Sequence, residues 1–147
     1  MGGTALDTSV IVPALLSWHE HHALALPVVR DALADAEGAL LPLPVLVEAY
    51  AVLTRLPPPW RLRPRDAHRL LVETFRGRAR VVGLGGDEGW ALLDAALAGG
   101  VSGGATYDAH IAACARKGGA ACLATFNRRD FERLDLGELA LLVPTAS

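Results

Sequence analysis

The sequence predicts one α/β domain spanning residues 1–147, in which a central, mainly parallel sheet of four or five strands is covered by helices on both faces. Two observations carry this. Short apolar runs alternate with longer stretches of helical period, as in strand–helix–strand units. The 52% hydrophobic content of 147 residues can supply one substantial core, and no repeat, long linker or low-complexity tail calls for a second domain.

Residues 4–6 form the first strand, which ends at Asp7, and Thr8 or Ser9 then caps a short helix reaching residue 16. A longer helix is expected over 20–37 and a second strand over 39–43. Pro44 suits a helical first turn, and the body that follows, 45–53, is apolar nearly all round, which predicts burial. The run Pro57-Pro58-Pro59 ends that helix; Pro64 opens another carrying Ala67, Leu70, Leu71 and Phe75 at helical spacing. A third strand follows over 80–84 and a helix over 87–98. The glycine-rich loop 99–104 leads into a helix over 107–117, closed by Gly118-Gly119; 121–125 is the fourth strand and 139–143 a short last one.

The net charge of −2 conceals an uneven distribution. Residues 55–80 carry eight arginines against Asp66 and Glu73, and a local basic excess of this kind either meets phosphate or forms a solvated face. Cys114 and Cys122 lie in apolar surroundings without zinc or redox spacing, so both are expected to be reduced core thiols. No signal peptide or membrane span is evident, because Asp7 interrupts the first apolar stretch; a cytoplasmic protein is expected.

Three carboxylates sit where folding alone would favour other residues. Asp7 stands at the end of a core strand, the edge at which open parallel sheets bind ligands. Glu48 is the one charge in the helix at 45–53, where an unpaired buried carboxylate would cost several kcal/mol; Arg55, seven residues on, is out of helical reach. Asp108 falls near a helix start, where the dipole favours negative charge. Helix capping is the alternative reading of Asp7 and Asp108, and a distant arginine the alternative partner of Glu48. Together the three can converge at the top of a parallel sheet, and hard oxygen donors of this kind suit Mg²⁺ or Mn²⁺.

Four segments, Ala5-Leu6-Asp7-Thr8-Ser9-Val10, Leu41-Pro42-Leu43-Pro44-Val45-Leu46-Val47-Glu48, Thr106-Tyr107-Asp108-Ala109-His110-Ile111-Ala112-Ala113-Cys114-Ala115 and Leu123-Ala124-Thr125-Phe126-Asn127-Arg128-Arg129-Asp130-Phe131, resemble in order and spacing the motifs of PIN-domain ribonucleases. More narrowly they resemble the VapC toxins of toxin–antitoxin pairs. The resemblance implies a PIN-like three-layer α/β/α sandwich and metal-dependent RNA cleavage by an activated water, with Mg²⁺ or Mn²⁺ held by Asp7, Glu48 and Asp108. The fourth motif departs from the most acidic family pattern, with Asn127 at its first carboxylate position and Asp130 three residues later; Asn127 can still hold a water or metal through its carbonyl oxygen, and Asp130 either supports it or only forms a surface pair beside Arg128 and Arg129. Thr125 is expected to orient a neighbouring carboxylate, and Arg61, Arg63, Arg65 and Arg69 to guide RNA. The same resemblance implies a small cognate antitoxin, for which Leu15, Leu16 and Trp18 offer an apolar surface if they are not core, and a homodimer.

Other chemistries fit less well. In the run from Gly83 to Gly89, Glu88 takes the place of the last glycine of a dinucleotide fingerprint and would oppose a pyrophosphate. His19, His21 and His22 lack paired-histidine zinc spacing and read as a solvated helix start, and His68 and His110 as ordinary helix residues. A phosphoacceptor receiver needs an early acidic pair and a lysine near a late strand, whereas Lys117 lies at a helix end; a haloacid-dehalogenase-type phosphohydrolase needs an acid where Ser9 stands. The remaining alternative is an inactive PIN scaffold that binds RNA or protein.

Overall fold

The computed structural model describes residues 2–146. Its elements in chain order are β1 (Thr4–Leu6), α1 (Thr8–Leu15), α2 (His22–Ala34), β2 (Ala39–Pro42), α3 (Leu43–Arg55), α4 (Pro64–Phe75), β3 (Ala79–Val82), α5 (Gly86–Ala98), α6 (Ala105–Lys117), β4 (Cys122–Ala124), α7 (Arg128–Glu132) and β5 (Ala140–Leu142). The strands form one sheet in the order β3-β2-β1-β4-β5, every neighbouring pair parallel, flanked by the helices as an α/β/α sandwich. The core fills both sides of this sheet. Leu6, Leu40, Leu41, Leu123 and Phe131 are buried, and Ile11, Val45, Leu53 and Ala115 reach it from the helices.

The strand order places the site. From β1 the chain winds outward through β2 and β3, then returns to add β4 and β5 on the other side of β1. The β1/β4 boundary is therefore the topological switch point, the place where open parallel sheets offer a ligand crevice at the carboxyl ends of their strands. Leu6 pairs with Ala124, so the next residues, Asp7 and Thr125, emerge side by side at that boundary. Backbone bonds fix both: Asp7 N–H donates to Ala124 O at 3.0 Å, and Thr125 N–H to Leu142 O at 2.9 Å. At the end of α6, Gly118 lies so close to β2 that a Cβ there would collide with Leu40 Cδ1, which ties this helix to the sheet.

Several expectations change. The helix at 20–37 is shorter, His22–Ala34, and residues 16–21 form a loop instead. The helix α3 is not buried all round: Val45, Ala49 and Leu53 face the core, while Val47 is 62% exposed and Glu48 is exposed with it. Apolar composition alone does not bury a face, because much of any folded surface is apolar. In α4, Ala67, Leu71 and Phe75 form the buried stripe and Leu70 lies at its edge. The five-residue α7 is an addition, too short to register as a helical period.

Candidate active site

Asp7 is 3% exposed and held by hydroxyls. Ser9 Oγ and Thr125 Oγ1 each donate to its Oδ2 at 2.7 Å, leaving Oδ1 outside these two bonds. The hydroxyls are themselves fixed: Phe126 N–H donates to Ser9 Oγ at 3.0 Å, and Asn127 N–H to Thr125 Oγ1 at 2.9 Å. The turn after β4 thus locks the carboxylate that follows β1. Burial raises the Asp7 carboxyl above its ordinary value, opposed by the hydroxyl and backbone hydrogen bonds and reinforced by the charge of Glu48. Although Asp7 precedes α1 as its N-cap, its side chain makes no capping bond, so capping does not explain it.

Asp108 lies half-buried in the first turn of α6. Burial is again the largest cause raising its carboxyl, followed by the charges of Asp130 and Asp7; Arg133 lowers it and Glu48 raises it slightly. Acids from the end of β1, from α3 and from α7 thus each lie within electrostatic reach of Asp108 on α6, and Glu48 of Asp7 as well. Arg133 stands at the rim, 3.8 Å from Asp130 Oδ1. The expectation that Glu48 is buried is corrected, since it is exposed on α3; its place in the cluster rests on its field at Asp7 and Asp108 instead.

Asn127 is exposed at the start of α7 and makes no side-chain cap, whereas Asp130 exerts the strongest charge effect on Asp108. Arg61, Arg63, Arg65 and Arg69 are all exposed on or just before α4. Among the described residues none of the four is among the charges that shift Asp7 or Asp108. Arg63, Arg65 and Arg69 line an open cavity with Asp66, which binds Arg63 at 2.9 Å, and Arg69 pairs with Glu73 at 3.6 Å. Leu16 is core, so of the suggested apolar surface only Trp18 is well exposed.

Among the described residues, no three His, Cys, Asp or Glu side chains already close into a metal-holding group. The donor set nevertheless fits a hard divalent cation in kind, because carboxylate oxygens predominate in it. Beside them the buried Thr8 Oγ1 has no hydrogen-bond partner among the described residues, a polar atom that a bound water can satisfy. Sequence reasoning missed Ser9 as a carboxylate-orienting group. The available signal was its spacing, a hydroxyl two residues after the strand-end acid.

The PIN domain family matches residues 4–136. Ribonuclease VapC40 of Mycobacterium tuberculosis is 36% identical over 119 residues, covering 81% of this chain and 83% of that protein. Among solved structures, M. tuberculosis VapC20, described as a sarcin-ricin loop cleaving toxin, superposes with a TM-score of 0.69 at 20% identity, over 94% of this chain and 99% of that one. VapBC2 from Rickettsia felis, bound to a DNA fragment from its promoter, gives 0.65 at 19% identity, over 95% and 97%. At these identities the two structures support the fold alone.

Proposed function

The chain belongs to the PIN domain family, and on that premise we propose that it is a metal-dependent endoribonuclease, the toxin of a toxin–antitoxin pair, hydrolysing RNA phosphodiester bonds in the cytoplasm. The observation that carries this reading is the coupling of Asp7, Glu48, Asp108 and Asp130 at the switch point of the sheet, with Asp7 locked by Ser9 and Thr125. Asp7, Glu48 and Asp108 would hold Mg²⁺ or Mn²⁺, with Asp130 favoured over Asn127 to complete the set. Such an ion supplies Lewis acidity toward the phosphate and makes a water more acidic. The chain's own part is orientation: the two hydroxyl donors fix the plane of the Asp7 carboxylate, and Arg133 offers positive charge at the rim.

Purified protein incubated with single-stranded RNA should cleave it in Mg²⁺ or Mn²⁺, stop on chelation, and recover when metal is restored in excess. Cleavage insensitive to chelator would overturn the metal reading; no cleavage by folded, metal-supplied protein would favour an inactive scaffold.

Arg61, Arg63, Arg65 and Arg69 are assigned to guiding RNA, because carboxylates without metal cannot attract a polyanion. Replacing all four by Gln is expected to weaken RNA binding and to flatten its salt dependence by about 0.7 in log–log slope for each phosphate contact removed. Arg63 and Arg69 can exchange their exposed carboxylate partners for phosphate at little cost. An unchanged slope in a binding titration would return the patch to a solvated face.

Two partners complete the proposal. A small cognate antitoxin is supported by the likeness to the VapC line of proteins, and a second copy of this chain by one face of α5. There Trp90, Leu93 and Leu97 are 70%, 49% and 85% exposed at helical spacing, an apolar stripe suited to a symmetric contact. No described helix is long and apolar enough to cross a membrane.

A further inference from the structure

Two tryptophans and two histidines that the acidic centre does not use form, with Phe126, a chain of neighbouring rings. Trp60, in the loop after α3, stacks on Trp18, in the loop after α1, with centroids 4.5 Å apart and planes inclined by 28°. Trp18 adjoins His19 at 5.9 Å, His19 adjoins His21 at 5.7 Å, and His21 stacks on Phe126 at 4.8 Å and 23°. We propose that this ring track is a stacking platform for unpaired bases of the RNA substrate, running from the arginine-rich segment to the acidic centre. The inference rests on the nuclease reading and specifies how that site receives its substrate.

Both ends of the track suit this occupant. Trp60 is followed directly by Arg61, and Arg63, Arg65 and Arg69 lie just beyond, so cationic groups for the sugar–phosphate backbone begin where the rings begin. At the other end, Phe126 N–H donates to Ser9 Oγ, which donates to Asp7 Oδ2. The residue that ends the chain of rings is thus one hydrogen bond from the hydroxyl that holds Asp7, and bases stacked on the outer faces of the ring pairs would bring the strand toward the carboxylates. Trp18 and Trp60 remain 43% and 46% exposed although stacked on each other, so each still offers aromatic surface. Burial and then the charge of His21 lower the tendency of His19 to protonate, opposed by Glu20. Glu20, 3.6 Å from His21 Nε2, disfavours a phosphate along the middle of the track and leaves that stretch to bases. Stacking accepts any base, because every base has a π-face, and it requires bases that are not already paired.

The test compares wild type with Trp18→Leu, Trp60→Leu and the double variant, and with Trp18→Phe and Trp60→Phe. The probe is a single-stranded oligoadenylate carrying one fluorescent adenine analogue whose emission is quenched by stacking. Wild type should quench it, and the double leucine variant should not. In cleavage, KM should rise about tenfold while kcat stays within about twofold, the phenylalanine variants should recover part of the loss, and the same RNA in duplex form should show no such difference. Thermal melts confirm that the variants are folded. Equal quenching and KM in wild type and the folded double variant would overturn the platform, as would variants that impair only binding of a protein partner. Quenching without cleavage by wild type would strike the nuclease reading alone; cleavage with ring-independent quenching and KM would strike the platform alone.

Discussion

Asp108→Asn and Glu48→Gln are each expected to reduce RNA cleavage about a thousandfold or more while leaving the fold intact, the size expected when metal-based charge stabilisation worth several kcal/mol is lost. Neither change alters side-chain volume appreciably, and Glu48 is exposed, so the loss should lie in chemistry rather than folding. Thr125→Val should cost less, about 10–100-fold, because it removes an orienting hydrogen bond and leaves every carboxylate in place. The Asp108 variant should also be the more stable protein without metal. Its wild-type carboxyl is raised in the folded state, chiefly by burial and then by Asp130 and Asp7, so its charged form is disfavoured there. A raised acid pKa means that the folded chain holds its proton more tightly. Metal-free wild type should therefore lose stability as pH rises from the ordinary carboxyl value of 3.8 through the raised folded value, with Asp7 acting in the same direction. Asp108→Asn should flatten that decline and raise Tm by about 2–4 °C for each kcal/mol of strain relieved. Added Mg²⁺ should stabilise wild type more than the variant. Undiminished cleavage by both purified variants would remove these acids from the mechanism.

The sheet was legible because its strands are short apolar runs, several of them bounded by a glycine or a polar residue, as Gly38 precedes β2, Gly83 follows β3 and Thr125 follows β4, and Asp7 because a strand that stops on an acid is conspicuous. Other positions depended on tertiary context. The sequence suggested that Glu48 was surrounded by apolar contacts, yet α3 turns Val47 and Glu48 outward together, and one dimension does not reveal which apolar face meets the core. Ser9 read as a cap because local pattern cannot show that Thr125, 116 residues later, would stand 3.3 Å from its hydroxyl. The histidines read as a helix start, which His21 and His22 are for α2, but the α1–α2 loop also brings His21 against Phe126 and Trp18 against Trp60. Those pairings join segments remote in sequence.

Co-purification with a small cognate antitoxin is expected to silence this chain, reducing RNA cleavage at least about a hundredfold, as loss of a few kcal/mol of transition-state stabilisation requires. The expectation follows from the charge of the site. Several acids in mutual repulsion accept a guanidinium as they accept a metal ion, and its planar fork can bind carboxylates bidentately. Arg133 already acts in this sense at the rim, lying 3.8 Å from Asp130 and lowering the carboxyl of Asp108. An arginine supplied by the partner would extend the same interaction inward and compete directly with Mg²⁺. Raising Mg²⁺ should therefore restore part of the activity of the complex, and replacing an arginine that enters the acidic centre by Gln should restore most of it, with assembly followed separately by co-elution. A partner that binds tightly yet leaves cleavage unchanged would show that inhibition does not pass through the acidic centre. Inhibition indifferent to Mg²⁺ would place the block at substrate access instead, as a protein covering Trp18 and Trp60 would impose.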